Sequence, residues 1–326
     1  MTEAVGERLS EADVAGIRRA AEAIQASVER VIVGKADVVR FAMVAVLCEG
    51  HILFEDVPGI GKTTMAKAIA RSMGCSFKRI QFTPDLMPAD ITGIHFYNQR
   101  TGEFQFREGP LMSQVVLADE INRATPRTQS ALLEAMEERQ LTVEGETTIL
   151  PRPFLVMATQ NPVELEGTFP LPEAQLDRFL LRLELGYPNE DDEDQILARF
   201  ESENPLDELT PAVSAEDLIA HSRALGKLHV DPSIRRYAVQ IVRATRDETA
   251  FELGASPRAS LGLFRASRAH AAINGRDFVL PDDVKTMAPH VLAHRVILST
   301  NARLRGRDTR EVLADLLERI PVPVER

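Results

Sequence analysis

The chain has 326 residues, of which 44% are hydrophobic and 27% are charged, a composition typical of a soluble globular protein. This length suggests two domains. The formal net charge of -11 argues against sequence-independent DNA binding, because such binding depends on neutralising phosphates. Two cysteines are too few for a disulfide framework, the N-terminal stretch is polar, and no apolar run approaches the ~20 residues of a membrane-spanning helix. These features predict a cytoplasmic protein.

The first half of the chain alternates apolar, branched segments with amphipathic ones. The apolar segments predict five strands, at 51–56, 76–82, 114–119, 154–161 and 180–186. The first, third and fourth are nearly continuous in apolar residues, as expected of parallel strands buried on both faces. Helical patterns lie between the strands at 62–73, 125–139 and 173–178. This alternation predicts an α/β fold with a five-stranded parallel sheet.

Two connections are too long for simple crossovers, and both contain a hairpin pattern. Residues 88–110 include the alternating run FYNQRTGEFQF, with Thr-Gly at its centre. Residues 140–153 have their turn near Glu144-Gly145. We therefore predict two β-hairpins inserted into the α/β core.

Strand patterns disappear after Pro205, and helical patterns take their place. The first of these begins with Ser214 as N-cap, and acidic residues follow in its first turn. Further patterns lie at 231–247, 256–274, 280–298 and 309–320. The charge also changes, since residues 205–326 have a balance of +2 and the remainder has -13. We predict an α/β core over 1–188, a linker over 189–205 and a smaller all-helical domain over 206–326.

The segment FEDVPGIGKTT follows the first predicted strand and begins a helix. Its end matches a phosphate-binding loop, G-x-x-x-x-G-K-[ST], but Asp56 replaces the first glycine. We expect Lys62 to reach the β- and γ-phosphates of a nucleotide and Thr63 to bind Mg²⁺. The remaining loop residues in contact with the nucleotide would be Pro58, Gly59, Ile60, Gly61 and Thr64. Asp56 would repel phosphates unless it points away, so a simple strand–turn–helix is the alternative.

A second motif, VVLADE, is an apolar strand that ends in two carboxylates. Asp119 is placed to hold Mg²⁺, and Glu120 to orient and deprotonate a water molecule. The spacing from the loop is typical of a Walker B strand. A solvated acidic strand end is the alternative, but beside GKT the pair predicts hydrolysis of ATP or GTP.

A third signal is Asn161, at the end of the run FLVMATQN. An amide at the tip of a neighbouring parallel strand can hold the attacking water. The alternative is an ordinary Asn-Pro turn at 161–162. We favour the catalytic role because of the two other motifs.

The segments EDVPGIGKTT, VVLADEINRA, ATQNP, LPEAQLDRF and SPRA occur in this order and together resemble the MoxR family of AAA+ ATPases. The resemblance extends over nearly the whole chain, including the hairpins. It implies an AAA+ core of the P-loop NTPase class with a helical lid, ATP and Mg²⁺ as cofactors, and a loop variant that commonly lacks the first glycine.

The resemblance also implies roles for single residues. Asn161 matches sensor 1, and Arg178 in LDRF matches the arginine finger, which acts on the ATP of a neighbouring subunit. Arg258 in SPRA matches sensor 2, touching the ATP of its own subunit, and Val33-Gly34 resembles the segment beside the adenine. Arginine supplies fixed positive charge where the transition state spreads negative charge. The alternatives are an ion pair of Arg178 with Asp177 or Glu173, and a helix-start role for Arg258.

The family resemblance further implies a homo-oligomeric ring, most often a hexamer. It implies chaperone-like remodelling, assembly or metal-insertion maturation of partner proteins, often ones with a von Willebrand factor A domain. The predicted hairpin at 88–110 is a candidate contact with substrate, or else with a neighbouring subunit. The other possible functions are a nucleic-acid machine, based on the arginine-rich stretch 294–310, and a slow nucleotide switch. Membrane insertion is not expected.

Overall fold

The computed structural model describes residues 9–161, 167–199 and 205–323. The helices are α1 (Glu11–Glu29), α2 (Ala36–Leu47), α3 (Lys62–Ser72), α4 (Pro88–Thr92), α5 (Pro126–Glu138), α6 (Glu173–Leu176), α7 (Glu190–Arg199), α8 (Ala215–Leu225), α9 (Pro232–Asp247), α10 (Pro257–Ile273), α11 (Pro281–Leu292), α12 (Thr300–Leu304) and α13 (Thr309–Arg319). The strands are β1 (His51–Glu55), β2 (Phe77–Gln81), β3 (Gly93–Asn98), β4 (Glu103–Glu108), β5 (Val115–Asp119), β6 (Gln140–Val143), β7 (Glu146–Ile149), β8 (Leu155–Gln160), β9 (Phe179–Leu183), β10 (Phe251–Leu253) and β11 (Ile297–Leu298). Within these described ranges, no helix is both long and apolar enough to cross a membrane.

Five parallel strands form the central sheet, in the order β2-β5-β8-β1-β9. Successive side chains of a strand point to opposite faces, and both faces are covered here. Ile52 and Phe54 of β1 belong to one hydrophobic core, whereas Leu53 belongs to a second core on the other face. This arrangement confirms the predicted α/β fold with a five-stranded parallel sheet.

Both predicted hairpins are present as antiparallel strand pairs. β3 pairs with β4 from Gly93 opposite Glu108 to Asn98 opposite Glu103. β6 pairs with β7 around a turn in which Glu144 and Gly145 have φ angles of +52° and +90°, as in a type I′ turn.

The helices α8 to α13 form the lid. The side chain of Ser214 accepts a hydrogen bond from the backbone N–H of Asp217, which confirms the predicted N-cap. The lid also contains a two-stranded antiparallel ribbon, β10–β11, where the sequence predicted helices alone. These strands have three and two residues, which is too short for an alternating pattern to appear in the sequence.

Five helices, α1, α2, α4, α7 and α12, lie outside the helical patterns that the sequence predicted. α1 and α2 precede the sheet, and α1 packs against both α3 of the core and α10 of the lid. α7 occupies much of the predicted linker, and residues 200–204 lie outside the described ranges. In α7, Arg199 donates a hydrogen bond of 2.6 Å to the backbone oxygen of Glu29. The division into domains at 188 and 206 stays a prediction.

Candidate functional site

The predicted phosphate-binding loop lies between β1 and α3, at the carboxyl edge of the sheet. Gly59 and Gly61 have φ angles of +85° and +90°, a region that other residues rarely adopt. No described atom lies within 4 Å of the position that a Cβ atom would take at either glycine. The loop therefore opens onto free space at the N-terminus of α3, where unpaired backbone amides favour an anion.

Asp56 stands where the loop motif has its first glycine, and its carboxylate is turned away from the loop. Oδ2 accepts hydrogen bonds of 2.7 Å from the backbone N–H groups of Leu185 and Gly186, which follow β9. Oδ1 accepts a hydrogen bond of 2.9 Å from the N–H of Val57. Asp56 thus fastens the start of the loop to the end of the neighbouring strand. The repulsion of phosphates considered for this residue is avoided in this way.

Lys62 is 9% exposed and begins α3. Its ammonium group donates hydrogen bonds to the backbone oxygens of Asp56 and Val57, at 2.7 and 3.0 Å. Burial lowers the pKa of Lys62, and the nearby carboxylates, first that of Asp56 and then those of Asp119 and Glu120, oppose this shift. The cation is therefore held beside the loop, where a phosphate can replace the carbonyl oxygens.

Most of the predicted phosphate-binding residues, and Glu120 and Asn161 of the predicted catalytic residues, meet around one cavity of about 250 Å³. Its lining consists of Pro58, Gly59, Gly61, Lys62, Thr63, Arg79, Asp119, Glu120, Thr159 and Asn161. Arg79 and Thr159 of this lining were not predicted from the sequence. A charged residue inside the strand pattern SFKRIQF was the available signal for Arg79, and Thr159 lies two residues before Asn161.

The side chain of Asp119 is 12% exposed, and both of its carboxylate oxygens accept hydrogen bonds. Its Oδ2 accepts two hydrogen bonds from Arg79, from Nε at 3.0 Å and from Nη2 at 2.7 Å. Its Oδ1 accepts a hydrogen bond of 2.6 Å from the hydroxyl of Thr159. If Asp119 held a metal ion through Oδ2, Arg79 would have to move away.

Glu120 follows Asp119 in a left-handed backbone conformation, with φ +56°. Its N–H donates to the Thr159 hydroxyl at 2.8 Å, which joins the tips of β5 and β8. Its Oε2 accepts a hydrogen bond of 2.8 Å from Gln81 and lies 3.1 Å from Nε of Arg123. The carboxylate is therefore held by neighbouring side chains at the rim of the cavity.

An apolar cavity of about 370 Å³ continues from the phosphate cavity, with which it shares Pro58, Gly59 and Gly61. Its walls include Val31, Ile32, Val33, Ile60, Thr64, Tyr187 and Ile196. Gly34 is not part of this lining. At Gly34, with φ +69°, a Cβ atom would clash with the carboxylate of Asp192 on α7, so glycine permits the close approach of that helix.

Arg178 and Arg258 lie elsewhere, and both contact Glu137 near the end of α5. Arg178 Nε is 2.9 Å from Oε2 of Glu137, and Arg258 Nη1 donates to Oε1 at 3.0 Å. Neither arginine lines the two cavities. Arg178 precedes the first residue of β9, Phe179, which pairs with His51 at the start of β1. The two arginines are therefore at the amino edge of the sheet, roughly 16 Å from the loop by the length of a five-residue strand.

This position bears on the alternative considered for Arg178 and on the role expected of Arg258. Arg178 pairs with Glu137 rather than with Asp177 or Glu173, because Asp177 is occupied by the lid. Arg258 lies in the first turn of α10 and does not reach the loop of its own subunit in this arrangement. The catalytic roles of both arginines stay predictions.

The lid is fixed to the amino edge of β9 by a buried ion pair. Nε of Arg295, a side chain that is 3% exposed, donates to Oδ1 of Asp177 at 2.6 Å. Ser256 donates to Oδ2 of the same carboxylate at 2.9 Å. The ring of His294 contacts the backbone oxygen of Phe179 at 2.9 Å, and burial holds the pKa of this histidine well below its ordinary value. These contacts place the start of α10 beside Arg178.

The residues at the carboxyl edge fit a nucleoside triphosphate and Mg²⁺. The apolar cavity suits a base, and the adjoining cavity offers a glycine loop, a lysine ammonium and the oxygens of Thr63 and Asp119. Hard oxygen donors are the ligands that Mg²⁺ prefers, and it is commonly held by few protein groups together with phosphates.

Comparisons with known proteins agree with this geometry. Residues 51–181 match the ATPase family associated with various cellular activities (AAA), and residues 243–316 match the AAA lid domain. A crystal structure of a protein from Cytophaga hutchinsonii ATCC 33406 superposes with a TM-score of 0.90 at 38% identity, covering 96% of this chain and 98% of that one. The fold is therefore that of an AAA+ ATPase with a helical lid.

Two curated relatives cover most of the chain. The uncharacterized protein YeaC of Bacillus subtilis (strain 168) is 50% identical over 299 residues, 92% of this chain and 93% of that protein. Chaperone MoxR1 of Mycobacterium tuberculosis (strain ATCC 25618 / H37Rv) is 42% identical over 305 residues, 91% of this chain and 80% of that protein. The chain belongs to the MoxR family of AAA+ ATPases.

Proposed function

We propose that this protein hydrolyses ATP with Mg²⁺ in a homo-oligomeric ring and uses the energy to remodel partner proteins. The observation that carries the proposal is the meeting of Lys62, Asp119, Glu120 and Asn161 around one cavity beside an apolar pocket. A lysine, two carboxylates and an amide are the groups that phosphoryl transfer to water requires.

Each residue has one task in the proposed reaction. The loop amides and Lys62 bind and orient the phosphates, and Lys62 leaves the backbone oxygens of Asp56 and Val57 to do so. Glu120 and Asn161 hold the attacking water, and Glu120 accepts its proton. Mg²⁺, held by Thr63 and Asp119, would neutralise charge on the phosphate oxygens.

For hydrolysis, two side chains must change partners. Arg79 has to release one oxygen of Asp119, and Glu120 has to turn from Gln81 toward the water. Both exchanges depend on what occupies the cavity, so the site would become competent only after the nucleotide has entered.

The position of Arg178 supports catalysis at a contact between subunits. At the amino edge of its own sheet it is a strand length from its own phosphate loop, but it is accessible to another subunit, being 30% exposed. In a head-to-tail ring, the amino edge of one subunit can face the carboxyl edge of the next. Arg178 would then leave Glu137 and bind the phosphates of the neighbour.

We extend the same reasoning to Arg258. It shares Glu137 with Arg178 and is 44% exposed, so it can move toward the same neighbouring nucleotide. This proposal replaces the expectation that Arg258 touches the ATP of its own subunit. The trans assignment also explains why one carboxylate holds both arginines within a single subunit.

The partner is proposed to be a folded protein. The family contains a protein named as a chaperone, MoxR1. The β3–β4 hairpin exposes Phe96, Tyr97 and Phe104, whose exposed fractions are 40%, 54% and 73%. Aromatic side chains exposed in this way favour contact with another protein. In finer detail, we propose that the partner carries a von Willebrand factor A domain and that the remodelling serves its assembly or metal-insertion maturation. We also propose that the ring is a hexamer and that the protein is cytoplasmic.

The alternative of a nucleic-acid machine is weakened because three of the five arginines in the arginine-rich stretch 294–310 form ion pairs. Arg295 is buried against Asp177, Arg307 pairs with Asp315, and Arg310 pairs with Glu184 at 3.0 Å. Guanidinium groups that are neutralised within the subunit contribute little to binding phosphates.

The test is the ATPase rate per subunit over a wide range of protein concentration, with Glu120→Gln as the control. We expect the rate to rise steeply as subunits assemble and to vanish in the variant. A Glu120-dependent rate that is flat over the whole range, together with sedimentation showing only monomers under the same conditions, would contradict catalysis at a subunit contact. Absence of hydrolysis at every concentration would contradict the basal ATPase.

A further inference from the structure

A second polar cavity lies at the amino edge of the sheet, between the core and the lid, with a volume of about 390 Å³. We call it the arginine pocket. It is lined by five arginines and one carboxylate, namely Arg139, Arg152, Arg223, Arg265, Arg268 and Glu49. The phosphate loop lies at the opposite edge of the sheet, so the pocket is separate from the nucleotide site.

Glu49, the only carboxylate in this lining, already pairs with two of the five arginines. Glu49, whose side chain is 9% exposed, forms ion pairs with both Arg139 and Arg152. Arg139 also donates a hydrogen bond of 2.7 Å from Nη2 to the backbone oxygen of Glu49. One negative charge thus faces five positive ones.

The three remaining arginines have no acidic partner among the described residues. Arg268 donates to the backbone oxygen of Leu225, its Nε is buried without a hydrogen-bond partner, and its guanidinium lies 5.4 Å from the ring centre of Phe264. Arg223 and Arg265 form no ion pair in the part of the chain that is described. Their charges are exposed at the mouth of the pocket.

Burial, together with neighbouring positive charge, lowers the pKa of two arginines of the pocket, which remain protonated. Burial lowers the pKa of Arg139, and the charges of Arg152 and Arg265 lower it further. Burial likewise lowers the pKa of Arg268, with Arg265 adding to the shift. An anion in the pocket would relieve this repulsion.

The C-terminal ends of α2 and α5 position the carboxylate and one arginine of the pocket. Glu49 and Arg139 have φ angles of +48° and +53°, a left-handed region that residues other than glycine rarely adopt. Arg139 caps the end of α5 and Glu49 follows the end of α2, and a left-handed residue is a common way for a helix to end. Here these conformations bring Glu49 and Arg139 together at the wall of the pocket.

We propose that the arginine pocket binds a small molecule carrying two or more phosphate groups, independently of the nucleotide at the phosphate loop. Guanidinium groups bind phosphate oxygens through paired hydrogen bonds, which makes arginine the preferred side chain for this ligand class. The volume falls within the usual range of small-ligand sites and exceeds the need of a single phosphate. Because the lining joins α2, α5, α8 and α10, a ligand here would also fasten the lid to the core.

Inorganic pyrophosphate is a suitable probe. It is titrated calorimetrically into the full-length protein while saturating ADP and Mg²⁺ occupy the phosphate loop. We expect one pyrophosphate per subunit, with an affinity that falls as salt is added. Arg223→Ala and Arg265→Ala should each weaken binding by about tenfold, the effect expected for losing one charged hydrogen-bond donor.

Arg236→Ala is the matched control, because this arginine is exposed on α9 and is not part of the pocket lining. It should leave pyrophosphate binding unchanged. A fluorescent ADP analogue, monitored in parallel, should stay bound in all variants, which also shows that they are folded. The proposal is overturned if no heat is released, if pyrophosphate displaces ADP, or if the three variants bind equally well.

Discussion

At the scale of single residues, His51 is a buried imidazole that must stay neutral. Its Nδ1 accepts a hydrogen bond of 3.0 Å from the N–H of Val156, so Nε2 carries the proton and contacts the backbone oxygen of Met136 at 3.1 Å. Burial lowers the pKa of His51 to about 4. In the unfolded chain the ordinary value of about 6.5 applies.

This difference predicts a loss of stability in mild acid. Between pH 6.5 and 4 the unfolded state binds a proton that the folded state does not, so the free energy of unfolding falls as the pH falls. The contribution is complete above pH 6.5, and about 2 kcal/mol of it is lost at pH 5. Urea unfolding at pH 7.5 and pH 5 should therefore show a smaller decrease for His51→Gln than for the wild type.

His290 provides the internal comparison, because burial also lowers its pKa to about 4. The double variant His51→Gln/His290→Gln should lose still less stability between the two pH values. Equal decreases for the wild type and both variants would show that these imidazoles are not responsible for the acid sensitivity.

Single residues also show what a sequence can reveal. Gly61, Lys62 and Thr63 were predictable because a phosphate loop is local, and its residue types follow from backbone geometry and charge. The role of Glu137 was not predictable, because it pairs with two arginines, Arg178 and Arg258, that are 41 and 121 positions further along the chain. The orientation of Asp56 was also hidden, since its partners are the amides at 185 and 186.

At the scale of elements, the two hairpins are tied to each other. His95 of β3 contacts Glu144, in the turn of the second hairpin, at 3.3 Å and Glu146, the first residue of β7, at 3.7 Å. The β3–β4 hairpin is therefore supported at its base, while Phe104 at 73% exposure remains available to another molecule.

The exposure of Phe104 predicts that this residue contacts another protein during the ATPase cycle. A photo-reactive amino acid at position 104, in the Glu120→Gln variant that retains ATP, should cross-link to other proteins in cells. The same residue at position 253, where Leu253 is 46% exposed on the lid ribbon, is the control and should give few such products. Cross-links from position 104 only to a second copy of the chain would mean that the hairpin packs between neighbours.

The elements differ in how visible they were in the sequence. The strands β1, β5 and β8 were the most predictable because they are buried on both faces and nearly continuous in apolar residues. α7 was missed because its first turn is a run of acidic residues, Glu190 to Glu193, which is typical of a solvated loop as well as of a helix N-terminus. The ribbon β10–β11 is defined by pairing across the lid, and no local pattern encodes it.

At the scale of the whole molecule, the chain has two functional edges. The carboxyl edge of the sheet carries the groups that we propose to bind and hydrolyse a nucleotide, and the amino edge carries Arg178, Arg258 and the arginine pocket. The buried pair of Arg295 with Asp177 keeps the lid at that amino edge. A subunit built in this way is incomplete alone, because the arginines and the phosphates that they are proposed to bind lie on opposite sides.

Mixing defective subunits tests this polarity for both arginines. We expect Lys62→Ala to abolish nucleotide binding and to leave the amino edge intact, and Arg178→Ala or Arg258→Ala to damage only the amino edge. If both arginines act on a neighbour, an equal mixture of Lys62→Ala with either arginine variant should recover about a quarter of the wild-type ATPase rate. In randomly assembled rings, about a quarter of the contacts join a subunit with an intact Lys62 to a neighbour with the intact arginine. If Arg258 instead served its own subunit, its mixture would stay inactive while that of Arg178 recovered. The control is a mixture of Arg178→Ala with the double variant Lys62→Ala/Arg178→Ala. No activity should return in this mixture, because no subunit in it contains Arg178.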